Sequence, residues 1–168
     1  MPQNLSNGAD AKFTKYIPYI DRNYNMVMLL GLTINMIARA LQEQVKESGI
    51  TAVEYELLIL INEMGDQAIP AELSRILLKT PPATTTLLNR MEKSGLVKRK
   101  AHPDSKKIKI VTITKKGQEA LQSALKHDVL PDIIGTLPEQ KFTVLWDLLE
   151  ELKDKAASVT EEFVISNP

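Results

Sequence analysis

Hydrogen-bonding and cationic side chains that could recognise a nucleic acid are concentrated between residues 79 and 107. Three threonines at 84–86 are followed closely by Asn89 and Arg90. Threonine hydroxyls can bind phosphates or base edges, an asparagine amide can read adenine, and an arginine can bind a phosphate or guanine. The threonines also suit the start of a helix, because threonine is favoured at helix caps, and this simpler interpretation stays open.

Charge is distributed very unevenly, although the 168-residue chain is neutral overall. Residues 70–117 hold twelve basic and three acidic side chains, a local charge of +9, so the rest of the chain carries −9. A solvated charged surface is the usual explanation of a short run, but it fits a bias over so long a segment less well. The asymmetry favours a basic module that binds a polyanion and is attached to an acidic scaffold.

Several kinds of chemistry are excluded or disfavoured by composition. Cysteine is absent and histidine occurs only twice, which excludes thiol chemistry and leaves at most a weak carboxylate metal site. A Ser-His-Asp pattern and a glycine-rich phosphate loop are both missing, so we expect neither an enzyme nor a bound cofactor. Signal-peptide features are missing, and no uninterrupted apolar run has the length of a membrane span. We therefore expect a cytoplasmic protein without a membrane segment.

The elements that must position these side chains follow from apolar periodicity and helix caps. Asp21 or Asn23 could cap a long first helix, and Thr51 with Glu54 forms a capping box for the second. A turn signal at 102–105 separates two short strands. The expected helices span 21–48, 51–64, 70–78, 82–94, 115–129 and 137–158, and the expected strands span 96–99 and 108–114. The sequence therefore predicts a mainly α protein with one small β-hairpin.

The segment from Glu72 to Gly117 resembles the MarR family of DNA-binding regulators. The family's patterns are Glu-Leu-Ala, Arg-Leu-Glu-x-x-Gly-Leu-Val-x-Arg, Asp-Pro-x-Asp-Arg-Arg and Leu-Thr-x-x-Gly. They correspond here to residues 72–74, 90–99, 102–107 and 113–117. Each pattern alone is weak, but together, in order and in register, they are fairly specific. The order of helices extends the resemblance over nearly the whole chain.

The hairpin departs from the family pattern at its tip. In the family, an aspartate braces this wing and an arginine enters the minor groove. Here Ser105, Lys106 and Lys107 stand in those places, and neighbouring Asp104 is the carboxylate that could replace the brace. Because lysine is more strongly hydrated than arginine, we expect more phosphate contact and less minor-groove recognition.

The resemblance implies a winged helix-turn-helix at 51–117, with dimerisation helices at 11–50 and 118–158 and flexible tails at 1–10 and 159–168. It implies a homodimeric, sequence-specific transcriptional regulator of double-stranded DNA. The usual member represses at a palindromic operator and is released by a small aromatic or phenolic effector. The alternative is a winged-helix module that binds a protein without specific DNA recognition.

The apolar terminal segments, 11–30 and 130–157, are the expected dimer interface, with Trp146 as a candidate anchor. These helices could instead pack only within one subunit. An effector pocket would use Met26, Met36 and Arg39. Methionines at helical spacing are more often plain core, however, and Arg39 could be a surface charge.

The side chains expected to contact DNA lie on the outward face of the helix at 82–94 and around it. Thr84 and Leu88 should face inward. Arg99 could equally bridge to a wing carboxylate rather than to DNA. The expected DNA contacts are Lys79, Thr85, Thr86, Asn89, Arg90, Lys98, Arg99, Lys106 and Lys107.

Overall fold

A computed structural model describes residues 21–102 and 105–166, with backbone alone for 105–107 and 161–166. The expected N-terminal tail at 1–10 and residues 11–20 of the expected dimerisation segment lie outside these residues. The elements are α1 (Arg22–Gln44), α2 (Ala52–Met64), α3 (Pro70–Ile76), α4 (Pro81–Lys93), β1 (Val97–His102), β2 (Ser105–Ile113), α5 (Lys115–Leu125), α6 (Leu130–Ile133) and α7 (Glu139–Ser166). This confirms the mainly helical fold with one β-hairpin.

The chain divides between Asp128 and Val129 into two compact units. The first contains α1 to α5 and the hairpin, and its core is built mainly from aliphatic side chains of α2, α3, α4, α5 and the strands. The largest fully buried apolar side chains are Val45, Leu57, Leu58, Leu73, Leu88, Met91, Val97, Ile110 and Val111. The second unit contains α6 and α7.

Helix α1 is fixed at both ends by polar side chains. Asp21 is the cap, accepting hydrogen bonds from the backbone N–H of Asn23 at 2.7 Å and Tyr24 at 3.3 Å. At the other end, buried Gln44 donates its amide Nε2 to the carbonyl of Ala124 in α5, at 3.1 Å. Burial raises the pKa of Tyr55 in α2, and a hydrogen bond with Gln44 partly offsets that effect. The C-terminal end of α1 is therefore tied to the core.

The middle of α1 presents a large apolar surface to solvent. An 18-residue window has a mean hydropathy of 1.3 and only 11% of it is buried, so length and composition alone would allow α1 to cross a membrane. The expectation of a chain without a membrane segment overlooked this stretch, because asparagines and a threonine interrupt its apolar run. The exposed apolar side chains are Tyr24, Met26, Val27, Met28, Leu29, Leu30, Leu32, Ile34 and Met36.

The hairpin is longer than expected and is joined by a third segment. Strands β1 and β2 pair antiparallel, with Val97 opposite Ile113 and Arg99 opposite Val111. The backbone N–H of Val111 donates to the carbonyl of Ala68 at 2.8 Å, which attaches the hairpin to the loop before α3. This bond and the burial of Val111 hold the base of the hairpin against the helical core.

The apolar pattern predicted that the last helix ends near Ser158. Helix α7 instead continues to Ser166. Thr160 lies within it and donates its hydroxyl to the carbonyl of Ala156, at 2.8 Å. The apolar stripe predicted for this helix is present but exposed. It comprises Phe142, Leu145, Trp146, Leu149 and Leu152.

Candidate nucleic-acid interface

Helix α4 is held by a buried inner face and presents a polar outer face. Thr80 caps it, accepting from the backbone N–H of Ala83, and prolines occupy the first two helical positions, where no N–H is needed. The inward side chains Thr84, Leu88 and Met91 are fully buried. The outward side chains are Thr85, Thr86, Asn89 and Arg90, as the sequence predicts.

The outer face of α4 has hydrogen-bonding groups to spare. The Thr86 hydroxyl donates to the carbonyl of Pro82 at 2.9 Å, so its oxygen remains an acceptor and its methyl group is available for apolar contact. The side chains of Thr85 and Asn89 make no hydrogen bond to any residue that the structure describes. Asn89 therefore keeps two donors and a carbonyl acceptor for an external partner.

Arg90 is positioned by a carboxylate on another helix. Its Nε lies 3.1 Å from Oε1 of Glu54, whose side chain is 10% exposed. The other oxygen of Glu54 accepts hydrogen bonds from the backbone N–H and hydroxyl of Thr51, both at 2.9 Å, and completes the predicted capping box. Glu54 thus connects the start of α2 to α4. The Arg90 side chain remains 57% exposed, with four N–H donors not used on Glu54.

Arg99 is paired with a helix residue rather than with a wing carboxylate. Its guanidinium forms an ion pair with Glu92 of α4, and its backbone N–H donates to the same carboxylate at 2.9 Å. The Arg99 side chain is only 22% exposed. Of the two interpretations left open by the sequence, a carboxylate bridge is therefore present, but it braces β1 against α4. Contact of Arg99 with DNA stays a prediction.

A compact junction joins the end of α4 to the start of α5. The Thr114 hydroxyl donates to the carbonyl of Gly95 at 2.6 Å and accepts from the backbone N–H of Gly117 at 3.0 Å. Lys116 donates its Nζ to the carbonyl of Ser94 at 2.8 Å. In the sequence, Thr114 and Gly117 are recognisable only as part of the Leu-Thr-x-x-Gly motif. Their role in joining α4, β2 and α5 becomes visible only in the fold.

The structure describes the side chains of only two of the four lysines predicted to contact DNA. Lys79, after α3, and Lys98, on β1, are exposed, as phosphate contacts must be. The side chains of Lys106 and Lys107, and the whole of Asp104, lie outside the described residues. Lys100, which was not predicted as a contact, lies with its Nζ 3.4 Å from Asp66.

The candidate effector residues are only partly brought together. Met36 and Arg39 line a concavity of about 500 Å³, together with Leu32, Asn35, Ala38 and Gln42. All six belong to α1, so this is the open face of one helix, and Met26 is not among them. No group of three or more histidine or acidic side chains in the described part of the chain could hold a metal ion.

Comparison with known proteins agrees with this geometry. Residues 50–109 match the model of the MarR family. The transcriptional regulator MhqR of Bacillus subtilis is 22% identical over 139 residues, covering 79% of this chain and 92% of MhqR.

Two solved structures share the fold over most of the chain. A MarR variant from E. coli, complexed with operator DNA, has a TM-score of 0.66 and 23% identity, covering 83% of this chain and 96% of that one. CouR from Rhodococcus jostii RHA1, bound to p-coumaroyl-CoA, has a TM-score of 0.69 and 19% identity, covering 76% and 90%. With the family match across the helix-turn-helix and hairpin, these similarities support one assignment. Residues 50–109 carry a MarR-family domain, and the chain has the fold of the MarR-family regulators.

Proposed function

We propose that this protein is a cytoplasmic homodimeric repressor that reads a palindromic operator through α4, and that it acts by binding rather than by catalysis. The observation that carries the proposal is the outer face of α4. Thr85 and Asn89 on this face are exposed and make no hydrogen bond to any residue that the structure describes. The opposite face of the helix is fully buried, which fixes the direction of the outer side chains. A helix held in this way can enter the major groove and present its N-terminal half to base edges.

Asn89 is the side chain on this face best suited to identify a base, because its amide can form two hydrogen bonds with adenine. We expect Asn89→Ala to weaken binding to the specific operator at least about tenfold, and binding to unrelated DNA by much less, since a bidentate contact contributes about 1–3 kcal/mol of discrimination. Fluorescence anisotropy with both DNAs, repeated at several salt concentrations, measures this difference.

Asn62 supplies the matched control, because it is an exposed asparagine on α2, whose side chain contacts Glu63. Asn62→Ala should bind both DNAs like the unchanged protein. Equal weakening on both DNAs by Asn89→Ala would assign Asn89 to the phosphates instead. Equal binding of every DNA by the unchanged protein would favour the alternative, a winged-helix module without specific recognition.

The proposed dimer rests on apolar surface that each unit exposes. Soluble monomers rarely present contiguous apolar patches of more than a few hundred Å², yet α1 and α7 each expose a series of large apolar side chains. Burial against a second copy of the chain removes these surfaces from water. A partner subunit would then cover the apolar surface of α1, and no membrane is needed to do so. A two-fold dimer also provides two recognition helices for half-sites one helical turn apart, about 34–36 Å.

The proposed effector is a small aromatic or phenolic anion. CouR provides a precedent for the phenolic ring alone, since the ligand in its structure, p-coumaroyl-CoA, carries a phenolic acyl group. In this chain, Met36 offers a polarisable apolar contact and Arg39 a cation within the same concavity. The ligand would release the operator by binding one of two conformations more tightly.

A panel of phenols and aryl carboxylic acids, titrated into the protein–operator complex, tests the effector. At least one compound should lower the operator affinity and should do so less in Arg39→Gln than in the unchanged protein. If no compound changes either the operator affinity or the melting temperature, the effector part of the proposal fails, and the DNA-binding part does not.

A further inference from the structure

The turn between α3 and α4 contains a leucine where the backbone favours glycine. Leu78 has a φ of +50°, in the left-handed region. The backbone N–H of Leu78 donates to the carbonyl of Arg75 at 3.2 Å, and that of Lys79 donates to Ser74 at 3.0 Å. These two bonds are the Schellman arrangement that ends many helices, and its left-handed residue is usually glycine.

The same motif at the end of α4 provides an internal comparison. There the left-handed residue is Gly95, with a φ of +78°. Its N–H donates to Glu92 at 3.0 Å, and the next N–H, that of Leu96, donates to Met91 at 2.8 Å. Two turns of one chain therefore use the same hydrogen bonds, and only the one before α4 carries a side chain at the strained position.

Packing within the chain does not compensate for that strain. Leu78 is 87% exposed, the highest value among the large apolar side chains of the described residues. A left-handed conformation disfavours any residue with a Cβ, and an exposed leucine gains nothing from burial. A strained and exposed apolar residue is a reason to look for an external contact.

Leu78 lies where the operator would come closest to this turn. It precedes by two residues Thr80, the N-cap of α4, and adjoins the exposed Lys79. When a recognition helix enters the major groove by its N-terminal end, the turn before it meets the edge of the groove. The apolar surface available there consists of thymine methyl groups and deoxyribose carbons.

We propose that Leu78 packs against this apolar surface of the DNA, and that the contact explains why a leucine stands in the glycine position. The inference rests on the proposed reading of the operator by α4. It adds an apolar contact at the groove edge to the polar contacts of the helix and the phosphate contact of Lys79.

Four substitutions separate the side chain from the backbone strain. Leu78→Gly and Leu78→Asn suit the left-handed conformation and remove the apolar group. Leu78→Ala removes most of the apolar group and keeps the strain, and Leu78→Met keeps both. We expect the methionine variant to bind the operator within about twofold of the unchanged protein and the other three to bind about tenfold more weakly. The glycine and asparagine variants should melt about 2–4 °C higher.

Opposite movements of affinity and melting temperature in Leu78→Gly would support a DNA contact, because a purely structural role makes both move together. Replacing thymidine by deoxyuridine throughout the half-site identifies the surface. If deoxyuridine weakens operator binding by the unchanged protein but not by Leu78→Ala, the contact is with thymine methyl groups. If deoxyuridine changes the affinity of both proteins by the same factor, the contact is with deoxyribose.

Three results would overturn the inference. The first is binding by all four variants like the unchanged protein, which leaves the proposed function intact. The second is a shift from dimer to monomer in the weakly binding variants, measured by sedimentation, which would place Leu78 against a partner subunit and explain the lost affinity without a DNA contact. The third is failure of the unchanged protein to bind any operator, which removes the proposed function as well.

Discussion

Gly117→Ala should lower the midpoint of thermal unfolding by about 10 °C, because it forces a carbon into space already filled by backbone. An added Cβ would lie 2.1 Å from the carbonyl oxygen of Leu96 and 2.8 Å from Cγ1 of Ile113. The carbonyl cannot rotate away as a side chain would, so α5 must move relative to the end of α4. Overpacking of this severity costs about 3 kcal/mol or more, and each kcal/mol shifts the midpoint by about 2–4 °C in a chain of this size.

Gly31→Ala is the matched control for that experiment. Gly31 lies within α1, and a Cβ added there meets nothing within 4 Å in its own subunit. Because α1 belongs to the proposed dimer interface, sedimentation velocity first checks that this variant has the same mass as the unchanged protein. Alanine is favoured over glycine in a helix interior by about 1 kcal/mol, so this variant should melt at or above the temperature of the unchanged protein. Scanning calorimetry or circular dichroism measures both. A Gly117→Ala protein that melts within about 1 °C of the unchanged one would contradict the junction described here.

Leu149→Lys should produce a monomer and weaken operator binding at least about a hundredfold. Leu149 lies in the middle of the exposed apolar stripe of α7, which we propose is buried between subunits. In the dimer, the ammonium group of a lysine at this position would be buried without an opposite charge beside it, which is strongly unfavourable. Loss of the second recognition helix then removes the avidity of a two-site contact, a factor of about 10²–10⁴. Sedimentation velocity and anisotropy measure the two effects.

Gln140→Lys introduces the same charge on the opposite side of α7. Gln140 is exposed in the first turn and nine residues from Leu149, which is about two and a half helical turns. This variant should remain dimeric and bind the operator normally. If Leu149→Lys also remains a dimer, the apolar stripe of α7 does not form the interface, and the proposed assembly is wrong.

The sequence predicted the elements that carry strong local signals. The Thr51–Glu54 capping box and the cap at Asp21 lie where the pattern placed them. The first helix, in contrast, ends at Gln44 and not near residue 48, and a short 3-10 turn at Lys46–Ser48 follows it. The two caps depend on contacts over a few residues, so a sequence contains the information to find them. The inner and outer faces of α4 also followed from its apolar spacing.

Contacts between distant segments could not be predicted in this way. The pairing of Arg90 with Glu54 joins residues of different helices, and that of Arg99 with Glu92 depends on how β1 leaves α4. Nothing local distinguishes these arginines from free surface cations. These two ion pairs matter for the candidate site, because Arg90 and Arg99 are both predicted to contact DNA and each already has a carboxylate partner.

Exposure of apolar residues was also beyond local reasoning. Periodicity indicates which residues of α1 and α7 share a face, but not what covers that face. The same stripe suits a core, a partner subunit or, in α1, a membrane. Likewise, the left-handed backbone of Leu78 could not be read from a leucine, because the residue type itself argues against that conformation.

Footprinting on the intergenic DNA beside the protein's own gene tests the central claim most directly. The account predicts one protected region with two-fold symmetry, in which two half-sites are centred one helical turn apart. Protection should weaken steeply with salt. In a plot of the logarithm of the binding constant against the logarithm of the salt concentration, each phosphate contact should add about −0.9 to the slope. Protection of every sequence alike, or of none, would contradict the claim that α4 reads a specific operator.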